Sequence, residues 1–147
     1  MRVSIIGSGT PTKSEADTAR AVGRVLGERG HTLVCGGRGG IMAAACEGAT
    51  ETGGLTIGIL PGEDPADTNQ YVDVPIATGL GHARNALVVM NGDAVVAIAG
   101  SGGTLSEIGF ASVYGKPLVG LSTHELPEIE AVDTPEQAVN YVEAAVK

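Results

Sequence analysis

Three glycine-rich segments place backbone N–H groups where a bound anion could accept hydrogen bonds. They are Gly7-Ser8-Gly9-Thr10, Gly36-Gly37-Arg38-Gly39-Gly40 and Gly100-Ser101-Gly102-Gly103-Thr104, and each follows a short apolar run. A glycine loop between a strand and a helix lets N–H groups approach a phosphate and directs the positive end of the helix dipole at it. One such loop is weak evidence, because tight turns also use glycine. Three loops at one edge of a sheet indicate a phosphate-bearing ligand.

The first loop does not fit the dinucleotide-binding fingerprint. The Gly-x-Gly-x-x-Gly pattern that begins at Gly7 would need glycine at position 12, where Thr12 stands after Pro11. The acidic residue that holds a ribose is also missing, because Cys35 at the end of the second predicted strand is followed by glycine. A Walker P-loop is likewise absent from the sequence. We therefore expect a mononucleotide or a comparable phosphate compound.

Two ionisable side chains near these loops are candidate catalytic groups. Glu107 stands three residues after Thr104, so it either forms a capping box with that residue or faces the phosphate loop, where it could accept ribose hydrogen bonds or orient water. Arg84 lies early in a predicted helix, where a cation opposes the helix dipole. Arg84 could be a surface charge, or it could form a salt bridge to Asp93 or Glu107, or it could face a bound anion. We favour the anion-facing interpretation.

The elements that must position these residues follow from the alternation of short apolar runs with segments of helical period. The predicted strands are residues 3–6, 32–35, 55–60, 72–76, 94–99 and 118–121, and the predicted helices are 14–29, 40–52, 82–91, 105–114 and 135–146. This order predicts an α/β fold in which residues 1–147 form a single, three-layer, doubly wound Rossmann-like domain with a parallel sheet. Ligands bind such sheets beyond the carboxyl ends of the strands, where the three loops would meet.

The composition excludes several classes of partner. Nine basic and seventeen acidic residues give a net charge of −8, which disfavours nucleic acid, and the absence of Trp leaves few platforms for stacking bases. Cys35 and Cys46 lack CxxC spacing and the three histidines are scattered, so we predict no metal site and two buried, reduced thiols. Without a leader or a membrane-spanning segment, the chain is expected to be cytoplasmic.

Three motifs resemble, in order and spacing, those of the Lonely Guy-like superfamily, once labelled "possible lysine decarboxylase". They are Gly36-Gly37-Arg38-Gly39-Gly40-Ile41-Met42, Gly81-His82-Ala83-Arg84-Asn85, and the segment from Gly100 to Glu107. Within that superfamily the chain is similar to the short branch that includes molybdenum cofactor carrier proteins. The sequence departs from the superfamily pattern at Ala99, Ser101 and Asn85, and it has one carboxylate after Thr104 where the enzymes commonly have two.

The resemblance implies two alternative functions and rules out lysine decarboxylation. One is hydrolysis of the N-glycosidic bond of a nucleoside 5′-monophosphate, with Arg84 and Glu107 as the catalytic pair and no cofactor required. The other is non-catalytic carriage or sensing of a phosphorylated ligand such as the molybdenum cofactor. In both, the ligand-binding residues would be Gly7, Ser8, Gly9, Thr10, Gly36, Gly37, Gly39, Gly40, Met42, Gly100, Ser101, Gly102, Gly103 and Thr104. The resemblance also implies a homo-oligomer, either a dimer or a tetramer.

Overall fold

Strands and helices alternate along residues 1–146, the part of the chain that the computed structural model describes. The strands are β1 (Arg2–Gly7), β2 (Thr32–Cys35), β3 (Thr56–Leu60), β4 (Val74–Ala77), β5 (Ala94–Ile98), β6 (Leu118–Leu121) and β7 (Glu130–Ala131). The helices are α1 (Lys13–Glu28), α2 (Ile41–Glu51), α3 (Arg84–Met90), α4 (Gly102–Val113) and α5 (Pro135–Ala145). Single 3₁₀ turns at Pro65–Asp67 and Gly81–Ala83 precede β4 and α3.

The sheet order is β4-β3-β2-β1-β5-β6-β7, and every neighbouring pair is parallel. The connections run outwards in one direction from β1 and in the other from β5, so the order reverses between these two strands. Gly7 at the end of β1 lies opposite Ile98 at the end of β5, which opens a crevice between the loops that follow them. The predicted doubly wound, Rossmann-like fold is confirmed.

Alternate side chains of the central strands enter two separate cores, as the two-residue period of a strand requires. From β1, Val3 and Ile5 pack with helices α1, α2 and α5, whereas Ile6 packs with α3 and α4. All three side chains are no more than 1% exposed. Removal of their apolar surface from water is the main stabilising contribution to the three-layer arrangement.

Helices α1 and α2 approach each other so closely that their backbones touch. A Cβ atom added at Gly48 of α2 would overlap the carbonyl oxygen of Arg20, and one at Gly23 of α1 would overlap the carbonyl oxygen of Ala45. Arg20 also forms an exposed ion pair with Glu51 across the same helix pair. Part of the glycine surplus therefore serves helix packing, which the sequence interpretation had not assigned to it.

Most predicted bounds agree with the structure to within two residues, but β7 was not predicted and α4 begins three residues before its predicted start at 105. Ser101 is the N-cap of α4, so Thr104 is its third residue and Glu107 its sixth. The capping-box interpretation of Glu107 is therefore wrong, because its side chain lies more than a turn beyond the first N–H group. The glycines that suggested a loop instead form the first turn of the helix.

Candidate functional site

The structure brings the three glycine loops to one edge of the sheet, at the carboxyl ends of β2, β1 and β5. The first two loops touch, because the Ile41 N–H donates to the Ser8 carbonyl oxygen over 3.0 Å. Gly40 has a φ of 67°, and a Cβ atom there would lie 2.7 Å from the Cα atom of Gly9. Only glycine fits this position without strain, so the contact between the loops explains its presence. Within the first loop, Ser8 is buried and its hydroxyl accepts a hydrogen bond from the Thr10 N–H, leaving Gly9 and Thr10 exposed.

The first turn of α4 has backbone donors without an acceptor inside the helix. Its N-cap, Ser101, makes no side-chain capping bond, and the first intrahelical N–H to find a carbonyl there is that of Leu105. The N–H groups of Gly102, Gly103 and Thr104 thus have no acceptor within the helix. A Cβ atom at Gly102 or Gly103 would meet nothing within 4 Å, so the space beside this turn is open. An anion fits these donors and the positive end of the helix dipole.

Arg84 begins helix α3 and reaches across to the second glycine loop. Its Nη2 atom donates to the Gly36 carbonyl oxygen over 3.3 Å, and Nη1 bonds the side-chain oxygen of Asn85. Its Nε atom is buried without a hydrogen-bond partner. Burial lowers the pKa of Arg84 below its ordinary value. A partly desolvated guanidinium with an unused donor is suited to bind an anion.

The absence of a side chain at Gly36 provides the space that the Arg84 side chain occupies. A Cβ atom at Gly36 would lie 2.7 Å from Nη2 of Arg84 and 2.8 Å from the sulfur of Met42, so both side chains cover this glycine. No salt bridge joins Arg84 to a carboxylate among residues 1–146, and Asp93 instead accepts a hydrogen bond from the backbone of Arg2. The salt-bridge alternatives for Arg84 are therefore wrong.

Glu107 points inward from α4 and is only 8% exposed. No side chain or backbone group of the described residues forms a hydrogen bond with its carboxyl group. Burial raises the pKa of Glu107 to about 8, although the positive charge of Arg84 acts in the opposite direction. At neutral pH this side chain is mainly the neutral acid, which can donate a hydrogen bond but carries no negative charge.

Asn85 connects the two helices that carry Arg84 and Glu107. It is 5% exposed, and its side-chain nitrogen donates to the Ser106 hydroxyl over 3.2 Å, which in turn donates to the Gly103 carbonyl oxygen over 2.7 Å. This chain of bonds fixes the first turn of α4 relative to α3. The sequence showed Asn85 only as a departure from the superfamily pattern. Nothing in the sequence indicated that Ser106 links Asn85 to Gly103.

The two cysteines lie beneath the second loop. Both are free and buried, their sulfur atoms are 3.5 Å apart, and the Gly37 N–H donates to the Cys35 sulfur over 3.3 Å. The prediction that both thiols are buried is confirmed, and no disulfide joins them in the described part of the chain. In the described part of the chain, no three His, Cys, Asp or Glu side chains group in a way that could hold a metal ion. No helix there is long and apolar enough to cross a membrane.

Comparison of sequences gives one family and two informative relatives. The model of the SLOG cluster4 family matches residues 1–147. An uncharacterised protein of Archaeoglobus fulgidus is 39% identical over 149 residues, which cover all of this chain and 98% of that protein. The cytokinin riboside 5′-monophosphate phosphoribohydrolase of Mycobacterium tuberculosis is 30% identical over 129 residues, covering 80% of this chain and 68% of the enzyme.

Comparison of structures finds two molybdenum cofactor proteins and a DNA processing protein among the solved structures with a similar fold. The molybdenum cofactor binding protein of Rippkaea orientalis has a TM-score of 0.93 and 30% identity, with 99% of this chain and 97% of that chain covered. The molybdenum cofactor carrier protein of Chlamydomonas reinhardtii has a TM-score of 0.87 and 29% identity, with 97% and 96% covered. The DNA processing protein A of Helicobacter pylori shares the fold, with a TM-score of 0.76, 22% identity and coverage of 99% and 81%.

Proposed function

The chain belongs to the SLOG cluster4 family, and from this premise we propose that it carries a phosphorylated small molecule without cleaving it, with the molybdenum cofactor as the leading candidate. The molybdenum cofactor bears a phosphate group, which is the group that the three glycine loops are proposed to bind. The structural likeness to two molybdenum cofactor proteins over nearly the full chain supports this choice.

One observation favours carriage over hydrolysis, namely the burial of Glu107, which is only 8% exposed and whose pKa burial raises. Cleavage of an N-glycosidic bond develops positive charge on the sugar, and a carboxylate accelerates it by stabilising that charge or by activating water. With a pKa of about 8, Glu107 is ionised in only roughly one molecule in ten at pH 7. A bound phosphate would offset the charge of Arg84 and raise this pKa further, so the ligand would hold Glu107 in its neutral form.

In the proposed complex, the phosphate accepts hydrogen bonds from the N–H groups of Gly102, Gly103 and Thr104 and from the unpartnered Nε of Arg84. Gly100 and Ser101 shape the approach to this turn. Neutral Glu107 donates a hydrogen bond to a ligand oxygen, for which an uncharged acid is suited. The remaining predicted ligand-binding residues line the same sheet edge: Gly7, Ser8, Gly9, Thr10, Gly36, Gly37, Gly39, Gly40 and Met42.

Calorimetry combined with chromatography tests this proposal. The protein is titrated at pH 7 with the molybdenum cofactor and with AMP, GMP and IMP, and each nucleotide mixture is then analysed for free base. We expect saturable binding of at least one phosphorylated compound and no release of base. Release of base at pH 7 would overturn the carrier proposal, and the absence of binding by every compound would overturn ligand carriage itself.

A second candidate function is phosphoribohydrolysis of nucleoside 5′-monophosphates. The proximity of Arg84 and Glu107 and the 30% identity to the Mycobacterium tuberculosis enzyme favour it. If Glu107 acts as a carboxylate, the rate of base release must rise as the pH increases through about 8, because ionisation supplies the active form. Measurements from pH 6 to pH 9.5 separate the two functions, since a carrier releases no base at either end.

We also propose that the chain forms a homo-oligomer through the α3 and α4 layer. Met90, Leu105, Val113 and Tyr114 are between 39% and 78% exposed on or beside these helices. Burial of these side chains in a symmetric contact would remove apolar surface from water. A mass of one chain by light scattering at micromolar concentration would refute this.

The charge of −8 and the free cysteines fit a cytoplasmic protein that does not bind nucleic acid.

A further inference from the structure

Two thiol groups face each other beneath the second glycine loop, and the proposed ligand binding does not use them. Cys35 is the last residue of β2, Cys46 lies in the middle of α2, and both are fully buried. Their sulfur atoms are 3.5 Å apart. Small rotations of the two side chains would bring the sulfur atoms within bonding distance, roughly 2.05 Å. The pair is therefore placed to form an intramolecular disulfide.

The surroundings of Cys35 favour its thiolate form. The hydrogen bond with Cys46 lowers the pKa of Cys35 most, and the Gly37 N–H and the charge of Arg84 lower it further. Burial and Glu107 act in the opposite direction. The hydrogen bond with Cys35 and burial raise the pKa of Cys46. Because the thiolate is the nucleophile in thiol oxidation, Cys35 is the attacking residue and Cys46 the resolving one.

Burial restricts which oxidant reaches the pair. Both cysteines are 0% exposed, so a bulky oxidant does not contact either sulfur in the folded protein. Hydrogen peroxide is small and uncharged. The segment that contacts Cys35 through the Gly37 N–H is the second glycine loop, residues 36–40, and Arg38 carries its only side chain. A local opening of this loop would therefore expose the sulfur of Cys35 to peroxide.

The oxidation balances with peroxide as the only co-reactant. The Cys35 thiolate attacks one oxygen of hydrogen peroxide, the O–O bond breaks, and hydroxide leaves while Cys35 becomes a sulfenic acid. The sulfur of Cys46 then attacks the sulfur of the sulfenic acid. The S–S bond forms, the S–O bond breaks, and the hydroxyl group leaves with the Cys46 proton as water. Two thiols and one peroxide thus give one disulfide and two waters.

The disulfide would act on the second loop rather than on α2. A Cβ atom at Gly23 or Gly48 would overlap the backbone of the other helix, so α2 is held against α1 without room to move. The approach of the two sulfur atoms must then displace Cys35 and the loop that follows it. A disulfide sulfur has no negative charge and is a poor acceptor. The Gly37 N–H, which donates to the Cys35 sulfur over 3.3 Å, would lose this partner.

The second loop connects the thiols to the candidate anion site. The Gly37 carbonyl oxygen accepts hydrogen bonds from the Asn69 N–H over 2.8 Å and from the Thr68 hydroxyl over 3.3 Å, which hold the loop from outside. The bond to the Cys35 sulfur holds it from beneath. The neighbouring Gly36 carbonyl oxygen accepts from Arg84. Displacement of the loop would therefore move the group that anchors this arginine.

We propose that Cys35 and Cys46 are a site of reversible oxidation by peroxide, and that their disulfide loosens residues 36–40 and weakens anion binding through Arg84. Formation of the disulfide depends on the two thiols alone. Its effect on binding rests on the proposed binding of a phosphorylated ligand.

Mass spectrometry and hydrogen exchange test the modification. The folded protein is treated with hydrogen peroxide, and catalase then stops the reaction. We expect the two cysteines to lose about 2 Da together, the mass of their two hydrogens, and dithiothreitol to restore it. Amide exchange of residues 36–40 should become about fivefold faster on oxidation, as for the loss of one hydrogen bond. Two free thiols after treatment, or sulfinic acid in place of the disulfide, would overturn the inference.

The control is Cys46→Ala, which removes the resolving thiol from a residue outside the proposed ligand-binding set. Cys46→Ser takes its place if the alanine variant is unfolded. Peroxide also oxidises methionine, and the sulfur of Met42 lies beside Gly36, so the treated variant measures this side reaction alone. Dithiothreitol reverses the disulfide but not methionine sulfoxide, which gives a second separation of the two reactions.

Calorimetry with ribose 5-phosphate measures the effect on binding. The oxidised wild type should bind at least about threefold more weakly than the reduced protein and recover with dithiothreitol, whereas treatment of Cys46→Ala should leave its affinity unchanged. If the disulfide forms but affinity and amide exchange stay the same, the inferred effect on the loop fails while the proposed function stands. If the reduced wild type binds neither ribose 5-phosphate nor the compounds named above, the proposed function fails, and the mass change alone decides whether the disulfide forms.

Discussion

Replacement of Glu107 by glutamine should stabilise the protein by an amount that grows with pH. The native state holds the Glu107 proton up to a pKa of about 8, whereas the unfolded chain releases it near 4.5. Between these values the native state binds more protons than the unfolded state, so the free energy of unfolding of the wild type falls as the pH rises. Glutamine has nearly the same shape and no proton to lose.

The size of the effect follows from the displaced pKa. Relative to a neutral side chain, Glu107 destabilises the native state by about 1 kcal/mol at pH 5, about 3 kcal/mol at pH 7 and close to 5 kcal/mol above pH 8. The Glu107→Gln variant should therefore gain roughly 2 kcal/mol over the wild type between pH 5 and pH 7. This gain is large compared with the effect of most single substitutions.

Urea unfolding of both proteins from pH 5 to pH 9 measures the difference directly. The variant Glu136→Gln, which removes an exposed carboxyl group from α5, is the control for the loss of one charge. A free-energy difference between wild type and Glu107→Gln that stays constant from pH 5 to pH 8 would refute the assignment of a buried, protonated Glu107. Glu107 would then be ionised at neutral pH, and its protonation state would no longer favour carriage over hydrolysis.

Four further substitutions test the anion site, the helix packing and the strained backbone. Gly103→Asp should weaken phosphate binding at least about tenfold, because the new carboxylate repels the phosphate, but it should not lower stability, because a carboxylate is favourable at a helix N-terminus. Calorimetry measures the affinity and thermal unfolding the stability, and an unchanged affinity would contradict this prediction. Gly48→Ala should cost about 1–3 kcal/mol in urea unfolding, because the added methyl overlaps the Arg20 carbonyl, whereas Gly109→Ala, with open space around it, should stabilise by about 0.5–1 kcal/mol. Equal effects of the two alanines would contradict the close contact. Ser122→Gly should stabilise by roughly 1 kcal/mol through relief of positive φ, and a loss of stability would count against the strain.

The sequence predicted the sheet edge and its loops because those features depend on local pattern. Each glycine loop follows an apolar strand. Parallel connection of such strands brings their carboxyl ends to one edge of the sheet, whichever side chains they carry. The unfavourable position of Arg84 at a helix start was enough to propose it as an anion-binding group. Its contact with the Gly36 carbonyl oxygen joins residues 48 positions apart, which no local pattern reveals.

The protonation state of Glu107 could not be predicted from the sequence. It depends on where α4 begins, and glycines at 102 and 103 suggested a loop although they form the first helical turn. The start of the helix three residues earlier turns Glu107 inward and buries it, which raises its pKa.

The backbone contact between α1 and α2 bears on the entropy of ligand binding. The loop before α1 and the loop before α2 form two of the three walls of the candidate site, and Gly23 and Gly48 lock the helices behind them without intervening side chains that could change rotamer. The spacing of those two loops is thus preorganised. A ligand that binds there as proposed would meet donors already in position, so less of its interaction energy would be lost in ordering the protein.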